Sequence, residues 1–170
     1  MADGDLWFFD RVARLYRLAM PGADPEPLGQ GLAIATRPID RIADIGGGTC
    51  RAIQALAPET GVVIDASAGM LELVSKPSVG VQASATALPV VDEIFDAILI
   101  VDALHHIPDI DRVLTECHRV LAPGGVLVVR DFDPATIRER ALAAAEHAIG
   151  MSSRFFTEDP RRKRRAPARG

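Results

Sequence analysis

The chain reads Ile42-Ala43-Asp44-Ile45-Gly46-Gly47-Gly48 at the point where a short apolar segment runs directly into three glycines. Glycine adopts positive φ freely and has no Cβ, so a glycine loop after a strand lets the backbone approach a ligand closely. A tight strand–helix turn accounts for the same glycines when nothing else indicates a ligand. The segments around the loop therefore decide between the two interpretations.

Short apolar runs alternate with amphipathic segments on the carboxyl side of the loop. The run 94–101 is apolar on both faces apart from Asp96, which is typical of a central parallel strand covered by helices. The alternation predicts a doubly wound α/β fold with a mainly parallel, Rossmann-like sheet of five core strands. Ligands of such folds bind outside the carboxyl ends of the strands, where the strand order reverses. The predicted strands are 42–45, 61–65, 79–83, 94–101 and 126–129, and the predicted helices are 52–56, 68–74, 110–121 (closed by a turn at Pro123-Gly124-Gly125) and 135–149.

Helices are also predicted before the sheet. Apolar residues from Phe9 to Met20 recur at spacings of three and four, which indicates an amphipathic helix that Pro21-Gly22 ends. Pro25 and Pro27 predict a loop, and a weaker helical pattern covers 28–36. We divide the chain into N-terminal cap helices (1–38), a sheet domain (39–157) and a basic tail (158–170), whose Pro, Ala and Arg content predicts disorder.

The composition fits one globular domain, with 48% hydrophobic and 25% charged residues in a chain of 170. The two cysteines are far apart and form no CxxC pair, which argues against a disulfide framework and a zinc site. No apolar run is long enough to span a membrane, and the first residues lack a signal-peptide pattern. We therefore expect a reducing, cytoplasmic location.

The net charge of −4 is distributed unevenly along the chain. The last ten residues contain six Lys and Arg and no acid, so the remainder carries 13 basic and 23 acidic residues. Such an acidic body repels a polyanion, and nucleic acid is not expected as a partner.

Two spacings around the loop discriminate between cofactors. The dinucleotide fingerprint needs a small residue where this chain has Arg51, whose bulk is expected to obstruct close helix–strand packing. Asp65 follows Gly48 by 17 residues and ends the second strand, where a carboxylate can accept hydrogen bonds from ribose hydroxyls. The alternative for Asp65 is a helix N-cap, although Ser67 is better placed for that role.

Six motifs in order resemble those of type 11 methyltransferases, a group that includes the methyltransferases of ubiquinone and menaquinone biosynthesis. The resemblance covers roughly residues 8–157 and includes a cap helix at Phe9-Asp10-Arg11-Val12-Ala13 with Tyr16. The motifs are Asp44-Ile45-Gly46-Gly47-Gly48-Thr49, Asp65-Ala66-Ser67 through Met70-Leu71, Ala83-Ser84-Ala85-Thr86-Ala87-Leu88-Pro89, Phe95-Asp96-Ala97, Ala103-Leu104-His105-His106-Ile107-Pro108, and Arg119-Val120-Leu121-Ala122-Pro123-Gly124-Gly125.

The resemblance implies a class I methyltransferase that transfers a methyl group from S-adenosylmethionine to a small-molecule acceptor. Gly46 and Gly48 would pass beside the methionine moiety, Asp44 would support the loop, and Asp65 would hold the ribose. Phe9 and Tyr16 would close over the substrate. The implied cofactor-binding residues are Asp44, Gly46, Gly47, Gly48, Asp65, Ala66, Met70, Ser84, Ala85, Asp102 and Ala103.

On the adenine side, Met70 would lie against the ring, and Ser84 and Ala85 would bind its edge. The chain departs from the family at two positions: Cys50 replaces the third glycine of the loop, and Ser84 replaces the usual acid. A neutral hydroxyl accepts a weaker hydrogen bond than a carboxylate, so we expect a lowered cofactor affinity.

His105 and His106 are candidates for a general base, because neutral imidazole removes protons near pH 7. The alternative is that one histidine packs under the loop and the other caps the next helix. Methyl transfer proceeds largely through positioning and desolvation, so no base is required. Two adjacent histidines without further ligands predict no metal site.

After Phe156 no apolar run of strand length follows, whereas the family's sheet continues with an antiparallel strand pair. We expect this pair to be lacking, which would leave the fifth strand as an open edge. The explanations are a truncated reading, a minimal variant, or an edge completed by a second protomer in a homodimer. The alternatives to an active methyltransferase are a cofactor-binding module with little turnover and, weakened by Arg51, a nicotinamide-dependent enzyme.

Overall fold

The computed structural model describes residues 3–20 and 22–131. In chain order its elements are α1 (Asp3–Ala19), α2 (Pro25–Leu32), β1 (Arg41–Ile45), α3 (Arg51–Leu56), β2 (Thr60–Asp65), α4 (Ala68–Leu71), β3 (Val79–Gln82), β4 (Phe95–Val101), a 3₁₀ turn (Leu104–His106), α5 (Ile110–Val120) and β5 (Leu121–Arg130).

The five strands form one parallel sheet in the order β3-β2-β1-β4-β5. The chain moves outward from β1 to β3 and then returns to place β4 on the other side of β1. The strand order therefore reverses between β1 and β4, which opens a crevice at their carboxyl ends. This confirms the predicted doubly wound, Rossmann-like sheet.

Each central strand is buried on both faces because its side chains alternate between two core layers. In β1, Ala43 belongs to the layer that includes Val113 of α5. Its neighbour Ile42 belongs to the opposite layer, with Leu28 of α2 and Ile53 of α3. All seven residues of β4 are buried, as predicted for the central strand. Two covered faces leave the strand ends as the place for a polar site.

The second N-terminal helix begins at Pro25, whereas the sequence predicted a loop there and a helix over 28–36. Proline lacks an N–H and has a helical φ, so it fits the first turn of a helix, where that N–H would have no intrahelical partner. The Asp24 side chain accepts a hydrogen bond from the Glu26 N–H and caps the helix. The prolines therefore start α2, and the prediction was wrong by about one turn.

The predicted turn at Pro123-Gly124-Gly125 was also wrong, because these residues lie within β5 as an irregularity of the strand. Leu121 pairs with Phe95, and pairing resumes only at Val126 with Ala97. Gly124 has a φ of +78°, and a Cβ on Gly125 would lie 2.6 Å from the backbone oxygen of Asp96. Glycine is required here by a close approach within the sheet.

Several predictions lie outside the described residues: the helix over 135–149, the basic tail over 158–170, and the absence of a terminal strand pair. Within the described residues, β5 is an edge strand, and pairing of two copies through it stays a prediction. None of the described helices is long and apolar enough to cross a membrane.

The end of α3 yields a test of backbone strain. Ala57 follows this helix with a left-handed φ of +46°, and its N–H donates to the Ile53 carbonyl at 2.8 Å. Non-glycine residues pay about 1 kcal/mol in this region. Because the side chain of Ala57 is exposed, we expect Ala57→Gly to raise the free energy of unfolding by up to about 1 kcal/mol in urea titrations. Ala55→Gly, inside the same helix, should lower it by about 1 kcal/mol. Destabilisation by both variants would contradict the assignment of strain to Ala57.

Candidate functional site

The glycine loop turns sharply out of β1 towards the crevice. The Gly46 N–H donates to the Ile64 carbonyl at 2.7 Å, and Gly46 and Gly48 have φ values of +69° and +53°. A Cβ on Gly46 would lie 2.7 Å from the Cβ of Ala103, so the loop packs closely on the end of β4. A Cβ on Gly48 would meet no atom closer than the Met70 Sδ at 3.8 Å. Gly48 therefore leaves an open cradle above the loop.

Asp65 connects this loop to the next helix. One carboxylate oxygen accepts from the Gly48 N–H at 2.8 Å and the other accepts from the Ser67 N–H at 2.8 Å. The Ser67 hydroxyl accepts from the Met70 N–H and is the N-cap of α4, as predicted. A carboxylate has about four lone-pair positions, and three backbone N–H groups already donate to Asp65, so one position is left for a further hydrogen bond. Its burial raises its pKa, and the three backbone N–H bonds that it receives oppose that effect.

Three carboxyl groups interact at the crevice. Burial raises the pKa of Asp44 to about 8, and the negative charge of Asp65 adds to the rise. Arg51 lowers that pKa, while Asp102 raises it. One carboxylate oxygen of Asp102 accepts hydrogen bonds from Arg51 Nη2 at 3.4 Å and from Arg130 Nη2 at 3.0 Å. The crevice thus gathers three carboxyl groups, and a cationic ligand beside them would favour their ionised forms.

The direction of Arg51 corrects one sequence argument. Arg51 was expected to obstruct the packing of α3 on the sheet, but its side chain extends across the crevice to Asp102. Its guanidinium carbon also lies 5.7 Å from the ring centroid of Tyr16. Ala52 and Ile53 bury the helix face that contacts the sheet. The steric argument against a dinucleotide therefore does not hold. The acidic groups of the crevice argue against that cofactor instead.

Two adjoining cavities lie along the crevice and share Gly46, Asp65 and Ile107. The larger has a volume of about 310 Å³ and the smaller about 50 Å³. The remaining lining residues of the larger cavity are Ile64, Ala66, Ala83, Ser84, Ala85, Thr86, Pro108 and Asp109, and those of the smaller are Phe9, Tyr16, Gly48, Met70, Asp102, Ala103 and His106.

The predicted cofactor residues therefore divide between the two cavities. Ser84, Ala85 and Ala66 line the larger cavity. Met70 lines the smaller cavity, together with Gly46, Gly48, Asp102 and Ala103. Gly47 lies over Asp44, where a Cβ would be 2.6 Å from a carboxylate oxygen of that residue. Ser84 is exposed, and its hydroxyl lies 2.8 Å from that of Thr86.

The two histidines have different surroundings. His105 is fully buried, and its ring Nδ1 lies 2.6 Å from one carboxylate oxygen of Asp131. The backbone N–H of His105 donates to the other oxygen. His106 lines the smaller cavity, and its ring centroid lies 5.2 Å from that of Phe9. Burial and then the neighbouring His105 lower the pKa of His106 to about 3. The expectation that one histidine caps the next helix was wrong, because Asp109 caps α5.

Helix α1 covers the smaller cavity through Phe9 and Tyr16. Asp10, on the same helix, accepts from the Ser67 hydroxyl at 2.6 Å and from the Gly69 N–H at 3.0 Å. These hydrogen bonds, that from Ser67 first, lower the pKa of Asp10. A Cβ on Gly69 would lie 2.4 Å from the Asp10 carbonyl oxygen, so α1 and α4 are in close backbone contact. Helix α1 is thus attached beside Asp65.

Sequence reasoning missed Asp10, Arg51 and Asp131 as members of this region. Asp10 interrupts an amphipathic helix, and Asp131 follows the carboxyl end of β5 as Asp102 follows that of β4. Chemistry-bearing residues collect at strand ends in this fold, so the position of Asp131 was a usable signal. The described residues contain no cluster of His, Cys, Asp and Glu that could hold a metal ion.

The sequence matches the type 11 family described as a methyltransferase domain over residues 43–129, just over half of the chain. The ubiquinone/menaquinone biosynthesis C-methyltransferase UbiE of Methylobacterium nodulans is 40% identical over 111 residues, covering 57% of this chain and 43% of that protein. A demethylmenaquinone methyltransferase of a Mycobacterium species (strain KMS) is 36% identical over 166 residues, covering 89% of this chain and 71% of that protein. The first of these alignments therefore spans less than half of the relative.

Solved structures share the fold. A SAM-dependent methyltransferase from Thermotoga maritima superposes with a TM-score of 0.65 and 27% identity, covering 91% of this chain and 76% of that one. The similarity extends beyond the glycine loop to most of the chain.

The raised pKa of Asp44 predicts a pH-dependent stability. The unfolded chain releases this proton near pH 3.8 and the folded chain keeps it up to about pH 8, so the free energy of unfolding falls as pH rises through that window. Asp44→Asn removes the titration. Its free energy of unfolding relative to the parent should rise by on the order of 1 kcal/mol per pH unit between about pH 5 and 7 in urea titrations.

Glu116→Gln is the matched control. The Arg119 hydrogen bond, with the Leu88 N–H, lowers the pKa of Glu116 to about 2, so this group stays ionised in the tested range. Its replacement should destabilise by an amount that does not vary with pH there. A pH-independent difference for Asp44→Asn would contradict a protonated Asp44.

Proposed function

The chain belongs to the type 11 methyltransferase family, whose methyl donor is S-adenosylmethionine, and from this premise we propose that it methylates a small-molecule acceptor. When bound, the cofactor supplies an electrophilic methyl group on a positively charged sulfur. The chain itself binds and orients the reactants and excludes water from them.

The arrangement of acidic groups around the glycine loop carries this proposal. The N–H groups of Gly46 and Gly48 already donate to the Ile64 carbonyl and to Asp65, so neither is available to a pyrophosphate on this loop. Asp102 lines the cavity that Phe9 and Tyr16 cover, and its charge acts on Asp44. A sulfonium and an ammonium group suit these carboxyl groups better than the phosphates of a dinucleotide do.

The residues present also fit the adenosyl part of the cofactor. Asp65 has an acceptor position left for a ribose hydroxyl, and the cavity lined by Ala66, Ser84 and Ala85 has a volume of about 310 Å³. The open position above Gly48 takes the chain of the ligand without a steric conflict. We assign the adenine to the larger cavity and the methionine end, with Gly46, Asp102 and Ala103, to the smaller one, where Gly47 and Asp44 support the loop. Met70 lines the smaller cavity, so we place it on the methionine side, whereas the resemblance implied a position against the adenine.

We infer that the acceptor enters beneath α1. The smaller cavity measures about 50 Å³, below the roughly 150 Å³ that holds a benzene ring, so α1 has to move for a ring acceptor to enter. Its apolar and aromatic lining by Phe9, Tyr16 and Ile107 suits a planar ring. Two relatives are named for quinone biosynthesis, which makes a quinone-type ring the first acceptor class to test.

We assign His106 a hydrogen-bonding role in preference to that of a general base. With a pKa of about 3 its imidazole stays neutral and holds a proton weakly. Its Nδ1 is buried with no hydrogen-bond partner among the described residues, so it can accept a hydrogen bond from a hydroxyl group of the methyl acceptor.

We also propose that residues 1–38 act as the cap and that the chain works in a reducing, cytoplasmic setting, since Cys50 and Cys117 are buried thiols.

Calorimetry and donor consumption test the function. S-adenosylmethionine and S-adenosylhomocysteine should bind the full chain, and NAD should not. Asp65→Asn should weaken binding about tenfold or more, because a hydrogen bond to a charged group is worth about 1.5–3 kcal/mol. Asp111→Asn, an exposed carboxylate on α5, is the control.

Three results distinguish the alternatives. Tight NAD binding would contradict the proposal. Cofactor binding without donor consumption across a panel of ring acceptors would favour a binding module. Consumption with one acceptor class would identify the substrate.

Ser84 tests the predicted loss of affinity on the adenine side. We expect Ser84→Asp to bind S-adenosylhomocysteine several-fold more tightly, since a carboxylate accepts a hydrogen bond about twice as strong as a hydroxyl does. Ser75→Asp adds the same charge at an exposed position outside both cavities and should leave the dissociation constant unchanged. Equal affinity of Ser84→Asp and the parent would contradict the hypothesis that serine at position 84 lowers the affinity for the cofactor.

A further inference from the structure

Helix α1 has two faces of different character. Its inner face carries Phe9 and Ala13, which are buried against Met70, and Tyr16. The outer face carries Trp7, Leu15 and Leu18, which are 62%, 67% and 84% exposed. Positions 7, 11, 14, 15 and 18 lie on one side of a helix. Trp7, Leu15 and Leu18 therefore form a single apolar stripe. A stripe of large exposed apolar side chains usually marks an interaction surface.

Between residues 6 and 19 the charges on this outer face have one sign. Among residues 6–19 its charged members are Arg11 and Arg14, both exposed. The guanidinium carbon of Arg11 lies 5.1 Å from the centroid of the Trp7 ring. The flanking charges are directed elsewhere, because Asp10 bonds to Ser67 and Arg17 donates to the Leu73 carbonyl. The outer face is thus basic and apolar.

We propose that this face, defined by Trp7, Arg11, Arg14, Leu15 and Leu18, docks reversibly on an anionic lipid surface. Tryptophan and arginine at the edge of a leucine stripe suit the boundary between headgroups and acyl chains. The arginine stems can lie along the apolar layer while their guanidinium groups reach lipid phosphates. One such face gives weak, salt-sensitive binding and not a permanent anchor.

Charge argues against two other occupants. A two-fold contact with a second copy places the same face against itself, which brings Arg11 and Arg14 towards their own equivalents. The last ten residues of the chain carry six cations and no acid, so they have the same sign as the face. An anionic surface complements it.

Docking has a consequence for the site, which rests on the proposed function. The inner face of α1 covers the smaller cavity, so contact through the outer face places that cavity next to the lipid. An apolar acceptor could then enter beneath α1 without crossing water.

The sequence contains a single tryptophan, Trp7, so intrinsic fluorescence reports on this face directly. The full chain is titrated with vesicles of phosphatidylcholine containing phosphatidylglycerol, and with vesicles of phosphatidylcholine alone. We expect the emission maximum to shift to the blue with the anionic vesicles and to shift back on adding salt. The partition coefficient of Leu15→Ser/Leu18→Ser should fall about tenfold or more, because two apolar contacts are lost.

Ile34→Ser is the matched control, since Ile34 is 74% exposed but lies outside α1. It should partition as the parent does, and Arg11→Gln/Arg14→Gln should lose the preference for anionic lipid. An unchanged Trp7 emission, an equal loss for Ile34→Ser, or the same shift with duplex DNA would overturn the proposal. Sedimentation with vesicles that survives Leu15→Ser/Leu18→Ser would assign binding to another segment and also overturn it.

Calorimetry without vesicles keeps this proposal separate from the proposed function. Leu15→Ser/Leu18→Ser should bind S-adenosylhomocysteine as the parent does, which also shows that the variant is folded. If the parent fails to bind S-adenosylhomocysteine while its Trp7 emission still shifts, the function falls and the docking stands.

Discussion

The bridge that Asp65 makes between the glycine loop and α4 organises the crevice. Its two carboxylate oxygens take the N–H groups of Gly48 and Ser67, so β2 determines the path of the chain after β1 and the start of α4. Ser67 in turn donates to Asp10 and caps α4, which attaches α1 to the same point. The glycine loop, Asp65 and helix α1 are therefore positioned by one connected set of hydrogen bonds. A displacement of any one of them changes the positions of the other two.

Burying acids at the crevice costs stability that a cationic ligand would return. Asp44 is held in a form that resists ionisation, and Asp102 needs Arg51 and Arg130 beside it. Asp102 also has a positive φ of +53°, which is unfavourable for a residue with a Cβ. Such costs concentrate where a fold binds its ligand, because the scaffold of buried strands supplies stability elsewhere. The two hydrophobic layers around β4 provide that scaffold.

Helix α1 links the two proposals made for this chain. Its inner face closes the smaller cavity through Phe9 and Tyr16, and its outer face presents a basic, apolar stripe. The same movement that admits a ring acceptor would change how the outer face meets its surroundings. Close backbone contact at Gly69 and the Asp10 hydrogen bonds limit that movement to the side of α1 away from α4.

The sequence alone determined the class of fold and the position of the crevice, because both follow from local patterns. Apolar runs and helical spacings are properties of neighbouring residues, and the glycines and Asp65 mark the ends of two strands. Local patterns failed at α2 and at Pro123, where proline and glycine fit a helix start and a strand irregularity as well as a loop. Only the tertiary structure decided which groups meet. Asp10 and Ser67 are 57 residues apart, Arg51 and Asp102 are 51 apart, and His105 and Asp131 are 26 apart. Such contacts depend on how the strands are ordered and how α1 crosses them, and no spacing within one segment records that.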